Sequence, residues 1–227
     1  MFMAAKMALL GFGGEAASNR PFIAAIGTVA KGSGNAVSVS PPAGAQAGDL
    51  LLCFVSTENG GQTTPSGYSQ ITNSPQGNST FAGSARLGVF QKTHSGSESS
   101  VTVGLGGSHV VAVIIAIRNA STTLNVTAGS NASSTASVSC PTATTTVDDC
   151  MVLAAVAFSV NTTVGSWANA NLADFAEILD EATTDDDDGG LAIALGYKAT
   201  AGATGATTAT LASASTQGRM TIAIGPA

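Results

Sequence analysis

Apolar residues in this chain come in short runs separated by turns rich in Gly, Pro, Asn and Asp. Leu50 to Val55 follows Gly48-Asp49, and Cys150 to Ala155 follows Asp149. Each run is too short to span a membrane and well suited to a buried strand. His109 to Ile117 is the most hydrophobic run, and its β-branched content favours strand over helix. Both faces of such a strand must be covered, so it is predicted in the middle of a sheet. Ala112 and Ala116, which share one parity, would allow close approach on one side. Ile222-Ala223-Ile224 supplies a closing strand of the same kind.

The runs recur in order. Asp49 and Asp149 lie one hundred residues apart, and Pro41 and Pro141 each stand eight residues before them. Leu87 and Val89 answer to Ile193 and Leu195, while Val113, Ile115 and Ile117 answer to Met220, Ile222 and Ile224. Phe22 to Ala30 is answered by Thr122 to Ala128, and Tyr68 by Trp167. Matches in a constant order with a slowly drifting offset predict a β unit written twice, over about residues 22–120 and 121–227. Leu172 to Asp180 fits a short helix or a strand, and its place in the second copy favours the strand. Pro41-Pro42-Ala43-Gly44 and Gly48-Asp49 are read as turns, and Asp49 and Asp149 as structural turn residues.

Composition narrows the function classes. Charged residues are 10% and aromatics 5% of the chain, so solubility rests on hydroxyls, and such a surface suits contact with another molecule. A net charge of −6 gives no basic stripe for DNA or RNA. Cys53, Cys140 and Cys150 cannot all pair within the chain. A Cys140–Cys150 bridge is one reading, and three reduced thiols made in a reducing cytoplasm is the preferred one.

Met1 to Ala17 lies outside both repeats and imitates a secretory leader only weakly, because glycines interrupt its apolar centre. Residues 1–21 are therefore predicted to form an N-terminal arm, with Met7, Leu9, Leu10 and Phe12 docking on a neighbouring subunit. No membrane segment is expected.

Candidate chemistry is sparse. Asp185 to Asp188 are adjacent, whereas calcium favours spaced carboxylates that converge, so the run reads as a solvated loop tip and no metal is assigned. His94 and His109 lack any accompanying nucleophile elbow, phosphate loop or zinc motif, so no catalytic residue and no cofactor are assigned. Tyr68 and Trp167 could stack on a sugar or close the ends of the fold. The polar loops Glu58 to Ser66, Asn73 to Gly83 and Asp185 to Gly190 are where recognition would occur.

The segment Pro41 to Leu52, the Gly67-Tyr68 turn, the Ala85 to Lys92 strand and the Ala203-Thr204-Gly205-Ala206 stretch resemble a group of virion proteins of tailed bacteriophages and prophages. The second copy departs from that pattern, with Val147-Asp148-Asp149 for Gly-Asp and Ser166-Trp167 for Gly-Tyr. The resemblance implies β-sandwich proteins of the head surface, head spike, tail or fibre, with no catalytic residues. The expected fold is all-β, an antiparallel β-sandwich of jelly-roll type with internal duplication, with two packed sandwiches as the other arrangement. The expected role is a structural virion protein, made in the host cytoplasm, that decorates or cements the capsid surface. Its partners would be the major capsid protein or a tail protein, and further copies of itself. A host-recognition module that binds cell-surface glycan is the competing expectation.

Overall fold

The computed structural model describes residues 19–33, 36–58, 62–77, 83–104, 109–185 and 188–227. Among these the chain forms antiparallel strands and no helix. The Met7, Leu9, Leu10 and Phe12 arm lies outside the described residues. The first half runs β1 (Phe22–Ile26), β2 (Ala30–Ser33), β3 (Val37–Val39), β4 (Leu50–Thr57), β5 (Ser69–Gln70), β6 (Gln76–Gly77), β7 (Arg86–Thr93), β8 (Val101–Val103) and β9 (His109–Arg118). The second runs β10 (Val126–Cys140), β11 (Thr144–Thr145), β12 (Cys150–Phe158), β13 (Val164–Ala168), β14 (Ala173–Thr183), β15 (Gly189–Lys198), β16 (Gly202–Ala203) and β17 (Thr207–Ile224).

Two larger sheets carry the architecture. One has the order β1-β9-β4-β7-β5, and the other β10-β17-β12-β15-β14. Strand by strand, the two orders are the same. β9 sits between β1 and β4, as its unbroken apolar run requires, and Ala112 and Ala116 lie on its outer face. Leu172 to Asp180 falls mainly in β14, a strand.

Register determines which residues correspond. Leu50 pairs with Ile117 and Met151 with Ile224, while Leu50 pairs with Thr93 and Met151 with Tyr197. Leu50 therefore answers to Met151, Thr93 to Tyr197 and Ile117 to Ile224. The match of Ile115 to Ile222 holds. The match of Asp49 to Asp149 is one residue out, and Leu51 and Met151 lie on opposite faces. The true counterparts are Gly48 and Asp149: both have left-handed backbones (φ 91° and 54°), and each donates its N–H to a carbonyl just past the partner strand, His94 and Ala199. Aspartate is among the few side chains that tolerate that conformation, so an acid can stand in the second turn where the first has a glycine. Leu87 likewise answers to Leu191 and Val89 to Ile193, a two-residue shift that preserves the face.

The facing sides of the two sheets share one core. Leu50, Leu52, Phe54, Leu87, Val89, Val113, Ile115 and Ile117 meet Met151, Leu153, Leu191, Ile193, Leu195, Met220, Ile222 and Ile224. Burying a Leu, Ile or Phe side chain contributes roughly 1.5–3 kcal/mol, so this layer is the main apolar term in the fold. The outer faces are covered differently. In the first half the β3–β8 pair brings Val39 and Val103 over Leu51, Cys53 and Ile114. In the second, β10 and β17 shift register between Thr135 and Ser137 and fold back over their own sheet, laying Val138, Ala209 and Leu211 on Ala154, Val156 and Phe158. β13 joins that outer layer by pairing with β17.

Candidate functional site

The sequence-predicted residues do not converge. Tyr68 precedes β5 and is 8% exposed, its ring among Cys53, Phe90 and Ile114 on the outer face of the first sheet. Burial pushes its hydroxyl pKa upward. Trp167 lies on β13 in the second half, partly buried against the outer-face core there. The two are not counterparts. Ser69 pairs with Gln91 and Ala176 with Leu195, so Tyr68 answers to Phe175, and Gly67 (φ 78°) to Asp174 (φ 50°). Trp167 belongs to β13, which has no equivalent among the described residues of the first half.

Titratable groups with catalytic potential are spent on structure. His94 accepts the Gly96 N–H at Nδ1 (2.9 Å), and its backbone N–H donates to the Asp49 carbonyl. His109 is fully buried with Nε2 3.4 Å from Ser56 Oγ, and the ring rests on Gly189. Both rings are buried, His94 at 7% exposure and His109 completely. Asp49, 3% exposed, accepts two parallel bonds from Arg118 Nε and Nη2 (2.9 Å each) and one from the Gln46 N–H (2.7 Å). These bonds raise the Arg118 pKa, and the fork geometry is the strong form of a charge-assisted pair. The second half has Gly225 where the first has Arg118, and it does without the pair.

The three thiols are unpaired and buried, so no Cys140–Cys150 bridge forms. Burial pushes Cys53 and Cys140 up to about 12, which makes both inert as nucleophiles near neutrality. Arg219, 8% exposed, sits beneath the folded-back layer and donates to Gln217 Oε1 (2.7 Å), Ser137 O (3.1 Å) and Ser139 O (3.2 Å). Burial lowers its pKa. Among the described residues no cluster of His, Cys, Asp and Glu could hold a metal ion, and two of the four aspartates in the acidic run lie outside them. No helix among the described residues is long and apolar enough to cross a membrane.

The predicted recognition loops are partly committed to internal contacts. Asn73 Nδ2 donates to Thr127 O (2.8 Å), Gly77 N to Asn131 Oδ1 (2.5 Å), and both Ser159 and Thr216 hydroxyls donate to Gly83 O. These bonds tie the first half to the second along the β6–β10 seam. On the opposite seam Lys31 Nζ lies 2.9 Å from Glu181 and donates to Ala182 O (2.6 Å).

An open cleft of about 270 Å³ is lined by Leu50, Gly67, Ser69, Gln91, Lys92, Thr93 and Thr122. Lys92 Nζ donates to Glu98 Oε2 at 2.5 Å. That bond and the Ser95 N–H hold the Glu98 carboxyl down at about 2. Sequence reasoning missed this cleft because its lining comes from four separated segments, and only register brings them together. No protein-family model, curated protein or solved structure matches the chain.

Proposed function

We propose that the protein is a structural component of a tailed-bacteriophage particle that decorates or cements the capsid surface, built as a duplicated antiparallel β-sandwich of jelly-roll type. The identical strand orders and the seam of β6 against β10, answered by β2 against β14, support the duplication. They are what a twofold dimer of half-chains joined by a linker would give.

The observation that carries the functional reading is the outer layer of the second half. Residues 119–147, 150–173 and 199–218 contain no Asp, Glu, Lys, Arg or His. Register brings them side by side: Ser137 pairs with Thr210 and Thr210 with Gly165, Ser139 with Thr208 and Thr208 with Ala168, all exposed. Burying a charge against a partner costs several kcal/mol, whereas hydroxyls re-pair cheaply. A face of this kind suits permanent contact with another subunit, which typically buries 2,000 Å² or more in total. The N-terminal arm, with Met7, Leu9, Leu10 and Phe12, would add a second contact on a neighbour. No bond need be made or broken, and no nucleic acid or membrane is engaged.

The test is imaging of phage particles with and without the protein. Extra density on the capsid, lost with Thr210→Glu or with deletion of residues 1–17 while the variant still folds, supports the proposal. Particles unaltered by its absence contradict it, and selective retention of the protein on host cells would favour the glycan-binding reading instead.

A further inference from the structure

The two halves make corresponding surfaces, and at one of them they differ in a way that points to a ligand. In the second half, the chain entering β1 passes over β14 and β15. There Arg20 stacks on the Tyr197 ring (4.1 Å to the centroid) and lies 3.6 Å from Asp174. In the first half, the chain entering β10 passes over β5 and β7 at the corresponding place, next to Gly67, the counterpart of Asp174, and Thr93, the counterpart of Tyr197. The residue it brings there is Thr122, a side chain too short to fill the space. The cleft is the place that Arg20 and Tyr197 close in the other half.

We infer that this cleft is a binding site for one neutral sugar unit. Ser69, Thr93 and Thr122 offer hydroxyls that donate or accept, and Gln91 adds an amide whose buried Oε1 has no partner among the described residues. Leu50 lies beneath the cleft and is almost fully buried, so the lining offered to a ring is chiefly polar. Lys92 is the one charged lining residue, and its bond to Glu98 neutralises it, so an anionic ligand would have to break that pair to gain a counter-charge. The volume falls below the roughly 300–1,000 Å³ typical of pockets that enclose drug-sized ligands, so the occupant is a monosaccharide or a single unit of a longer chain. The assignment is independent of where on a particle the protein sits, and neither Tyr68 nor Trp167 lines the cleft.

Titration of the full-length protein with the methyl glycosides of glucose, galactose, mannose and N-acetylglucosamine, followed by saturation-transfer NMR, tests it. At least one glycoside should show transfer. Thr122→Arg and Thr93→Tyr, which copy the closed site, should each weaken it by about tenfold or more. Asp174→Gly, at the closed site, should leave binding unchanged, and thermal unfolding of each variant reports that the fold is intact. Absence of transfer from all four glycosides at millimolar concentration, or binding that persists in folded Thr122→Arg and Thr93→Tyr proteins, overturns the inference.

Discussion

The turn into β4 and the turn into β12 start the same rung of two matching ladders, yet they are held by different means. At Gly48-Asp49 the glycine takes the left-handed backbone, which frees the next residue to be a buried acid clamped by Arg118. At Asp149-Cys150 the acid itself takes that backbone and stays exposed, and the following position is a buried thiol with Gly225 where the first half has its arginine. One half holds this turn with a buried acid paired to Arg118, and the other holds it without such a pair. The lesson is that two sheets with the same strand order and register, joined by one core, can be finished at their ends by different chemistry.

The largest effect should come from the core itself. Phe54 answers to Ala155 in the same layer, so the first half supplies the bulk that the second omits. Phe54→Ala is expected to cost about 3–5 kcal/mol in denaturant unfolding, and Ala155→Leu about 1–3 through overcrowding.

Next comes the asymmetry of the acids. Asp49→Ala strands Arg118, whose side chain is 30% exposed and so partly relieved by water, and about 2–3 kcal/mol should be lost. Asp149→Gly should change stability by less than about 1 kcal/mol, because it relaxes the backbone and removes no buried partner. Equal losses at the two sites would erase the distinction between them.

At the far end of the sheets, a methyl on Gly189 would collide with the His109 ring, so Gly189→Ala should cost about 1–3 kcal/mol by prising β15 from β9. A neutral result would mean that the halves do not meet there.

The smallest effect is acid sensitivity near the cleft. The Glu98 pKa is depressed from 4.5 to about 2, so its contribution is fully present above the ordinary carboxylate range and is lost as pH falls from about 4.5 toward 2. Glu98→Gln should flatten stability against pH in that window, while its behaviour at pH 7 to 8 should parallel the parent protein.

Much of the fold was legible because buried strands need apolar runs. The His109 to Ile117 run, the strand reading of Leu172 to Asp180 and the repeat of Val113, Ile115 and Ile117 at Met220, Ile222 and Ile224 follow from side-chain alternation alone. Matching acids between copies misled by one residue, because a loop aspartate can replace a glycine at a left-handed position. Aromatic matching misled more, pairing Tyr68 with Trp167 when the pairing ladders give Phe175. The cleft was not legible at all. It depends on Thr122 and Thr93 being smaller than the residues that close the corresponding place, and that comparison needs correct register first.

Hydrogen exchange under native conditions asks whether two sheets with one core behave as one unit. Amides in β4 and β9 and those in β12 and β17 should share the highest protection, and Phe54→Ala should lower both sets by the same free energy. Loss of protection confined to β4 and β9, with β12 and β17 unchanged, would show two independent cores and contradict the single shared one.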